Sequence, residues 1–266
     1  MIDLHCHILP GVDDGAGDLA TALEMAAMAV ADGITITACT PHIMPGVYDN
    51  EANAVRARVD ELAKALAEAD VPLKLVVGSD AHMRPDFTAA LHRGRILTLN
   101  DSRYVLFEPP HHVAPPRLEE CLFSIQMAGY VPVLTHPERL SWIETRYPLI
   151  THLARSGTWM QITAGSLSGR FGKRPQYWAE RMLKDGLVHV LASDAHNCTS
   201  RPPLLSHAYD LAATAVGRDE AENLLHVRPA AILDNTDPGL LPAPVAITET
   251  RPHTPVWKQI INAVRA

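Results

Sequence analysis

The chain has 266 residues, 47% of them hydrophobic and 20% charged, with a formal net charge of −7 at pH 7. That length suits one large α/β domain, and an acidic chain with a pI near 6.0 lacks the clustered Lys and Arg that a nucleic-acid surface needs. No apolar run reaches membrane-spanning length, no basic-then-apolar leader opens the chain, and the four cysteines form no CxxC pair, so the expected location is a reducing cytoplasm.

In chain order, strands and helices alternate. "MIDLHCH" at the N-terminus reads as a strand on which His5 and His7 share a face and Cys6 takes the other. A helix over 18–33 follows, with Asp18 as N-cap and Gly33 as its stop. "ITITACT" is the second strand, broken at Pro41, and residues 51–70 carry Ala52, Val55, Val59, Leu62 and Leu66 at helical spacing. "LKLVVG", "YVLFE", "VPVLTH", "WMQIT" and "VHVLAS" are the remaining strands, with helices predicted over 117–129, 148–157 and 175–186. Seven strands joined mostly by helices imply a parallel sheet, and this many short strands favour a closed barrel. Residues 236–266 are proline-rich and read as a C-terminal appendage ending in a short helix.

The strand ends carry the chemistry. His5 and His7 end the first strand, Pro41-His42 the second, Asp80 the third and Glu108 the fourth; His136, with Glu138 and Arg139, ends the fifth, Gln161 and Thr163 the sixth, and Asp194 with His196 the seventh. In a parallel barrel all these ends lie on one face, where active sites are built. A single such histidine reads as structural or merely exposed. Five histidines and three carboxylates at strand ends exceed what chance placement gives, and eight such ligands are more than one ion needs. Imidazoles and carboxylates without a thiolate fit a hydrolytic cluster of two to three Mn, Fe or Zn ions. Cys6, Cys39 and His189 read as packed side chains, and His92, His152, His207, His226 and His253 as surface residues. His82, His111 and His112 stand near enough to strand ends to touch substrate.

The motifs "DLHCH", "TPH", "THPER" and "ASDAHN" resemble the PHP (polymerase and histidinol phosphatase) superfamily. "MIDLHCHILPGVDDG", "LTLNDSRYVLFE", "GYVPVLTHPER" and "GLVHVLASDAHNCTSRPP" resemble, more narrowly, the bacterial manganese-dependent tyrosine-protein phosphatases that act on capsule-assembly tyrosine kinases. The resemblance covers residues 1 to about 235 and implies an α/β fold, a distorted (β/α)7 TIM-like barrel of the PHP type, with residues 1–235 as the metal-dependent phosphatase domain. It also implies hydrolysis of phosphotyrosine on a protein, with the C-terminal tail of a capsule or exopolysaccharide tyrosine kinase as expected substrate and Mn²⁺ as expected metal. By the same resemblance, His5 and His7 with Asp194 hold one ion, Glu108 and His136 a second, and His42 and His196 with Asp14, favoured over Asp13, the third. The family's bridging glutamate is Asp80 here, one methylene shorter. Arg139 and Arg201 match phosphate-contacting arginines, and Ser166 and Arg170 of "GSLSGRFG" are weaker candidates of the same kind.

A phosphate monoester resists hydrolysis because its negative charge repels hydroxide, and metals relieve that repulsion. A guanidinium gives phosphate two parallel hydrogen bonds, which suits Arg139 and Arg201. A phenolate leaves readily, so acid catalysis by His42 or His196 need only be modest. The thiolate route is closed, because no cysteine is followed by Arg at the sixth position. The rival readings are a PHP-type phosphatase for a small ester such as histidinol phosphate, an amidohydrolase (no Lys ends a strand here), and a non-catalytic metal-binding regulator of a kinase.

Overall fold

The computed structural model describes residues 1–246; the predicted C-terminal helix and His253 lie outside the described residues. Among the described residues there are nine strand segments: β1 (Ile2–Cys6), β2 (Ile36–Cys39), β3 (His42–Ile43), β4 (Lys74–Val77), β5 (Asp80–His82), β6 (Tyr104–Glu108), β7 (Val131–Thr135), β8 (Trp159–Thr163) and β9 (Val190–Ala192). β2 lies within the predicted second strand, and β3 continues its line past the break at Thr40-Pro41, where proline has no N–H for the ladder. β4 and β5 are likewise one strand interrupted at Gly78-Ser79. A Cβ at Gly78 would lie 3.0 Å from the Thr40 methyl and 3.1 Å from Leu99, tighter than ordinary packing, so glycine suits this close approach.

All strand pairs are parallel, in the ring order β1, β2/β3, β4/β5, β6, β7, β8, β9. The ring closes where Asp194 N–H donates to His5 O (2.8 Å) and His7 N–H donates to Ala195 O (2.9 Å). The barrel is therefore seven-stranded and distorted at two places, both beside the strand ends that carry polar residues.

The helices are α1 (Leu19–Ala31), α2 (Ala52–Glu68), α3 (Phe87–His92), α4 (Leu118–Met127), α5 (Ile143–Arg155), α6 (Ala164–Leu167), α7 (Lys173–Lys184), α8 (Ser206–Val216), α9 (Arg218–Glu222) and α10 (Arg228–Leu233), the last two joined by a π-helical turn over Asn223–Val227. Asp18 caps α1 by accepting from Thr21 N–H at 2.8 Å, and the five predicted apolar positions of α2 are its buried face. α5 begins five residues before its predicted start, because its N-terminal turn tolerates Pro148 by a kink at Arg146 (φ −121°). α3, α6 and α8 to α10 were not among the predicted helices.

Tyr104, Leu106, Val133, Trp159 and Val190 fill the barrel interior with Ile2 and Leu4, while Val105, Phe107, Leu134, Met160, Ile162 and Leu191 face the helices. On β1 the pairing register shifts between Asp3 and Cys6, so Cys6 joins the outer layer with the helices and His5 and His7 take the inner side. Asp3 fills the opened seam: its carboxylate accepts from His5 N–H (3.3 Å), Ser193 N–H (3.0 Å) and the Ser193 hydroxyl (2.5 Å).

At the opposite end, Arg228 is buried and forked onto Glu220 (2.8 and 3.0 Å), and its Nε donates to Pro242 O at 2.8 Å. Tyr104 donates to Thr236 O (2.9 Å) and Arg103 to Asp237 (3.1 Å), so residues 236–246 pack under the barrel. His189, read as packed, stacks on Trp159 with centroids 4.8 Å apart. Among the described residues, no helix is long and apolar enough to cross a membrane.

Candidate metal centre

Every predicted metal ligand lies at the C-terminal rim of the barrel, and the structure brings all nine into one cage. Four sets of ligand atoms lie within 4.8 Å of one another: His7, Asp14, His42 and His196; His5, His7 and Asp80; His42, His82 and Glu108; and Glu108, His111 and His136. Asp194 Oδ1 completes the cage at 3.4 Å from His5 Nε2 and 3.5 Å from His7 Nε2. The parallel register sets two of these neighbours directly, because His42 pairs with Asp80 and His82 with Glu108 on adjoining strands.

Local backbone shape aims the side chains. His136 (φ +37°) and Asp194 (φ +50°) adopt the left-handed conformation that non-glycine residues avoid, as functional sites often require. Gly15 folds the "VDDG" loop back over β1; a Cβ there would lie 2.0 Å from His7 O, so only glycine fits. That loop separates its two aspartates. Asp14 Oδ1 faces the cage, 3.5 Å from both His42 Nε2 and His196 Nε2, whereas Asp13 Oδ2 stands behind His7, accepting from its Nδ1 at 2.7 Å. Gln161 Oε1 does the same for His5 Nδ1 at 2.8 Å. A partner on Nδ1 fixes the tautomer and turns Nε2 towards the cage, the usual support for a metal-binding imidazole.

The electrostatics favour cations. Five carboxylates (Asp13, Asp14, Asp80, Glu108 and Asp194) share the rim with two guanidiniums, Arg139 and Arg201. Burial works against a charge on His7, yet hydrogen bonds to Asp13 and Asp194 push it up to about 10. Burial likewise opposes the charge on Asp80, but His5 and His42 outweigh it and lower its pKa well below the usual carboxylate range. His136 goes the other way: burial, then Arg139, hold it neutral. The decisive observation is unmet bonding capacity. Both oxygens of Asp80, His42 Nδ1, His136 Nδ1 and His196 Nε2 are buried without a hydrogen-bond partner. Buried polar atoms are normally satisfied, and bound cations would satisfy those that face the cage. The donor set of imidazole and carboxylate oxygen, with no thiolate, fits a hard or borderline divalent metal.

Arg139 and Arg201 sit together at the edge of the cage. Arg201 Nη2 donates to Asp194 Oδ2 at 2.6 Å, and Arg139 Nη1 donates to the same oxygen. One phosphoryl group is therefore within reach of both. Ser166 is buried and donates to Glu138 Oε1 (2.7 Å), and Arg170 donates to Thr199 O (3.1 Å) and Ser200 O (3.2 Å), so the structure places both as ties between loops. His82 and His111 touch Glu108 from the rim, while exposed His112 lies outside the four sets. Asp13 as support for His7 was missed, because a run of two aspartates in a loop carries no signal for which one turns inward.

A closed parallel barrel whose strand ends cage imidazoles, carboxylates and two adjacent guanidiniums defines a barrel metallohydrolase. The chain belongs to the CpsB/CapC family of capsular polysaccharide synthesis, whose model matches residues 1–234. It is 43% identical over 201 residues to the tyrosine-protein phosphatase YwqE of Bacillus subtilis, covering 76% of this chain and 79% of that protein. It is 32% identical over 241 residues to the tyrosine-protein phosphatase CpsB of Streptococcus pneumoniae, covering 88% and 98%. A chain from the crystal structures of YwqE from Bacillus subtilis and CpsB from Streptococcus pneumoniae, described as unique metal-dependent tyrosine phosphatases, superposes with a TM-score of 0.85 at 39% identity, over 92% of this chain and 99% of that one. The phosphotriesterase of Mycobacterium tuberculosis, at 12% identity and a TM-score of 0.56 over 88% and 94% of the two chains, shares the fold.

Proposed function

We propose that this chain hydrolyses phosphotyrosine on proteins with the help of two to three divalent ions, Mn²⁺ being the metal it uses, and that its cytoplasmic substrate is the tail of the tyrosine kinase that controls capsule or exopolysaccharide assembly. The observation that carries the reading is Asp194: one oxygen faces His5 and His7 in the cage, and the other receives both arginines. Metal ligation and phosphate recognition thus meet at one carboxylate. Residues 1–235 are the working domain, with 236–266 as its appendage.

His5, His7 and Asp194 would hold one ion, Glu108 and His136 a second, and Asp14, His42 and His196 the third. Asp80 lies 3.5 Å from His5 Nε2 and 3.4 Å from His42 Nδ1, a position from which it can serve two ions despite its shorter side chain. When bound, such ions supply a nucleophile at neutral pH and neutralise the charge on the phosphoryl group. Arg139 and Arg201 would leave Asp194 Oδ2 for the phosphoryl oxygens, holding the phosphorus at a fixed distance from the cage. The leaving phenolate needs little protonation, so His42 and His196 can serve as ligands without a demanding second duty as acids. At the arginine edge, a cavity of about 440 Å³ lined by Gly165, Phe171, Arg201, Pro202 and Leu204 gives room for residues flanking a tyrosine.

The test is a metal-depleted preparation assayed side by side on a phosphotyrosine peptide, histidinol phosphate and a cyclic amide. Activity on the peptide that vanishes on depletion and returns best with Mn²⁺ is expected. Full activity after verified metal removal, or a preference for histidinol phosphate, overturns the reading.

A further inference from the structure

We propose that Phe171 is a positioning residue for phosphate recognition, its ring being the face against which both phosphate-binding guanidiniums are set. This rests on the phosphatase reading above. The Arg139 guanidinium carbon lies 4.5 Å from the centroid of the Phe171 ring and that of Arg201 6.0 Å, both within the range of cation–π attraction. Two guanidiniums that share one carboxylate oxygen repel each other, and each sits on a long side chain with many rotamers. An aromatic ring in reach of both offsets the repulsion and removes rotamers before substrate arrives.

The surrounding chain is shaped to hold that ring. Phe171 lies in the turn between α6 and α7, closed by Arg170 N–H to Gly165 O (2.8 Å) and Gly172 N–H to Gly169 O (2.9 Å). A Cβ on Gly165 would come 2.8 Å from the Phe171 ring, so glycine at 165 is what lets the ring seat. α6, which leads into this turn, is tied to the β7 end through Ser166 and Glu138, and the turn itself to the β9 loop through Arg170 and the carbonyls of Thr199 and Ser200. These ties bind the turn to the two loops that supply Arg139 and Arg201. Nothing in the hydrolytic chemistry requires an aromatic at 171; setting two guanidiniums does.

The experiment compares Mn²⁺-loaded wild type, Phe171→Leu and Phe171→Tyr, measuring KM and kcat on a phosphotyrosine peptide, Kd for inorganic phosphate by calorimetry, and bound Mn. Loss of two cation–π contacts is expected to raise KM and the phosphate Kd of Phe171→Leu together by roughly three- to tenfold, with kcat and bound Mn little changed. Phe171→Tyr, which keeps the ring face, should restore both, and in an Arg139→Ala background the Leu substitution should have a smaller effect. Unchanged KM and Kd, a fall in kcat and bound Mn without a change in phosphate affinity, or a Tyr variant as impaired as Leu each overturns the proposal. If Phe171→Leu fails to fold, a fluorinated phenylalanine series at 171 replaces it; affinity should fall stepwise with fluorination, and a flat series overturns the proposal. Failure of the wild type itself to hydrolyse the peptide refutes the phosphatase reading instead.

Discussion

Replacing Asp13 probes the support of the cage without touching a residue that faces it. Its carboxylate makes three hydrogen bonds: from His7 Nδ1 at 2.7 Å, from His42 N–H at 3.0 Å and, through its other oxygen, from Gly15 N–H at 3.0 Å. The first fixes the His7 tautomer; the other two fold the "VDDG" loop so that Asp14 points inward. Loss of such an outer partner typically weakens metal binding about 10–100-fold, or ~1.4–2.7 kcal/mol. Asp13→Asn keeps an acceptor but removes the charge that holds the His7 proton at Nδ1, so about tenfold weaker Mn²⁺ binding is expected, together with a lower melting temperature of the metal-free protein, in which Asp13 helps raise the His7 pKa. Asp13→Ala also leaves the N–H groups of His42 and Gly15 without an acceptor. Because the loop is only partly buried, that costs about 2 kcal/mol, a fall of roughly 4–8 °C for a domain of this size. Chelator-competition titration gives the affinity and calorimetry of the metal-free protein gives the stability. An Asn variant that binds Mn²⁺ within twofold of wild type would refute the argument that Asp13 acts through His7.

Gly15→Ala should displace the loop, since its new methyl would meet the backbone carbonyl of His7, and a shift of about 1 Å at a catalytic group can cost 100-fold in turnover; Gly17→Ala, with nothing within 4 Å of the added carbon, is the control and should behave as wild type in the same peptide assay. His136→Ala should lose far more turnover than Cys6→Ser, whose thiol is buried in the outer layer, and equal losses would point to a thiol mechanism. Acid should destabilise the fold through His189, whose pKa is lowered to about 3 by burial and by the charge of Arg228. The unfolded chain then binds the proton more readily, so this contribution is complete above pH ~6.5 and falls as pH drops towards 3, by at most about 3 kcal/mol at pH 4. Denaturant melts of wild type and His189→Gln across that window check it: the variant's curve should be flatter, and parallel curves would refute the assignment.

Much of the site was legible because a parallel barrel converts sequence position into spatial position. A histidine or carboxylate that ends a strand must reach one rim, whatever its distance along the chain, so His5, His7, His42, Asp80, Glu108, His136, Asp194 and His196 could be gathered from strand ends alone. What failed to show depends on contacts between elements. The register shift after Asp3 looks in sequence like plain alternation, and it is stabilised by Ser193, 190 residues away. His82 and His111 meet at Glu108 only because β5 and β6 pair in one particular register and the segment after β6 turns back over the rim. α8 and the helices after it were overlooked because Ala208, Ala212 and Val216 present a small-residue face with little apolar contrast. The docking of 236–246 is invisible in a proline-rich composition, since it uses backbone carbonyls of Thr236 and Pro242 as acceptors for Tyr104 and Arg228.

Asp194 explains why this rim suits a phosphate ester better than an amide. Its left-handed backbone turns the carboxylate so that Oδ1 looks at His5, His7 and His196 while Oδ2 receives Arg139 and Arg201. Both arginines thus already donate to an anionic oxygen, and an incoming ligand must offer more than a neutral carbonyl to take them away. A phosphoryl dianion does: it presents several charged oxygens, accepts paired hydrogen bonds from each guanidinium and leaves Asp194 free to concentrate its charge on the cage. An amide presents one neutral oxygen and would leave the exchange unfavourable. The carboxylate proposed to help hold the metals is, on this argument, also the competitor that sets how anionic a substrate must be.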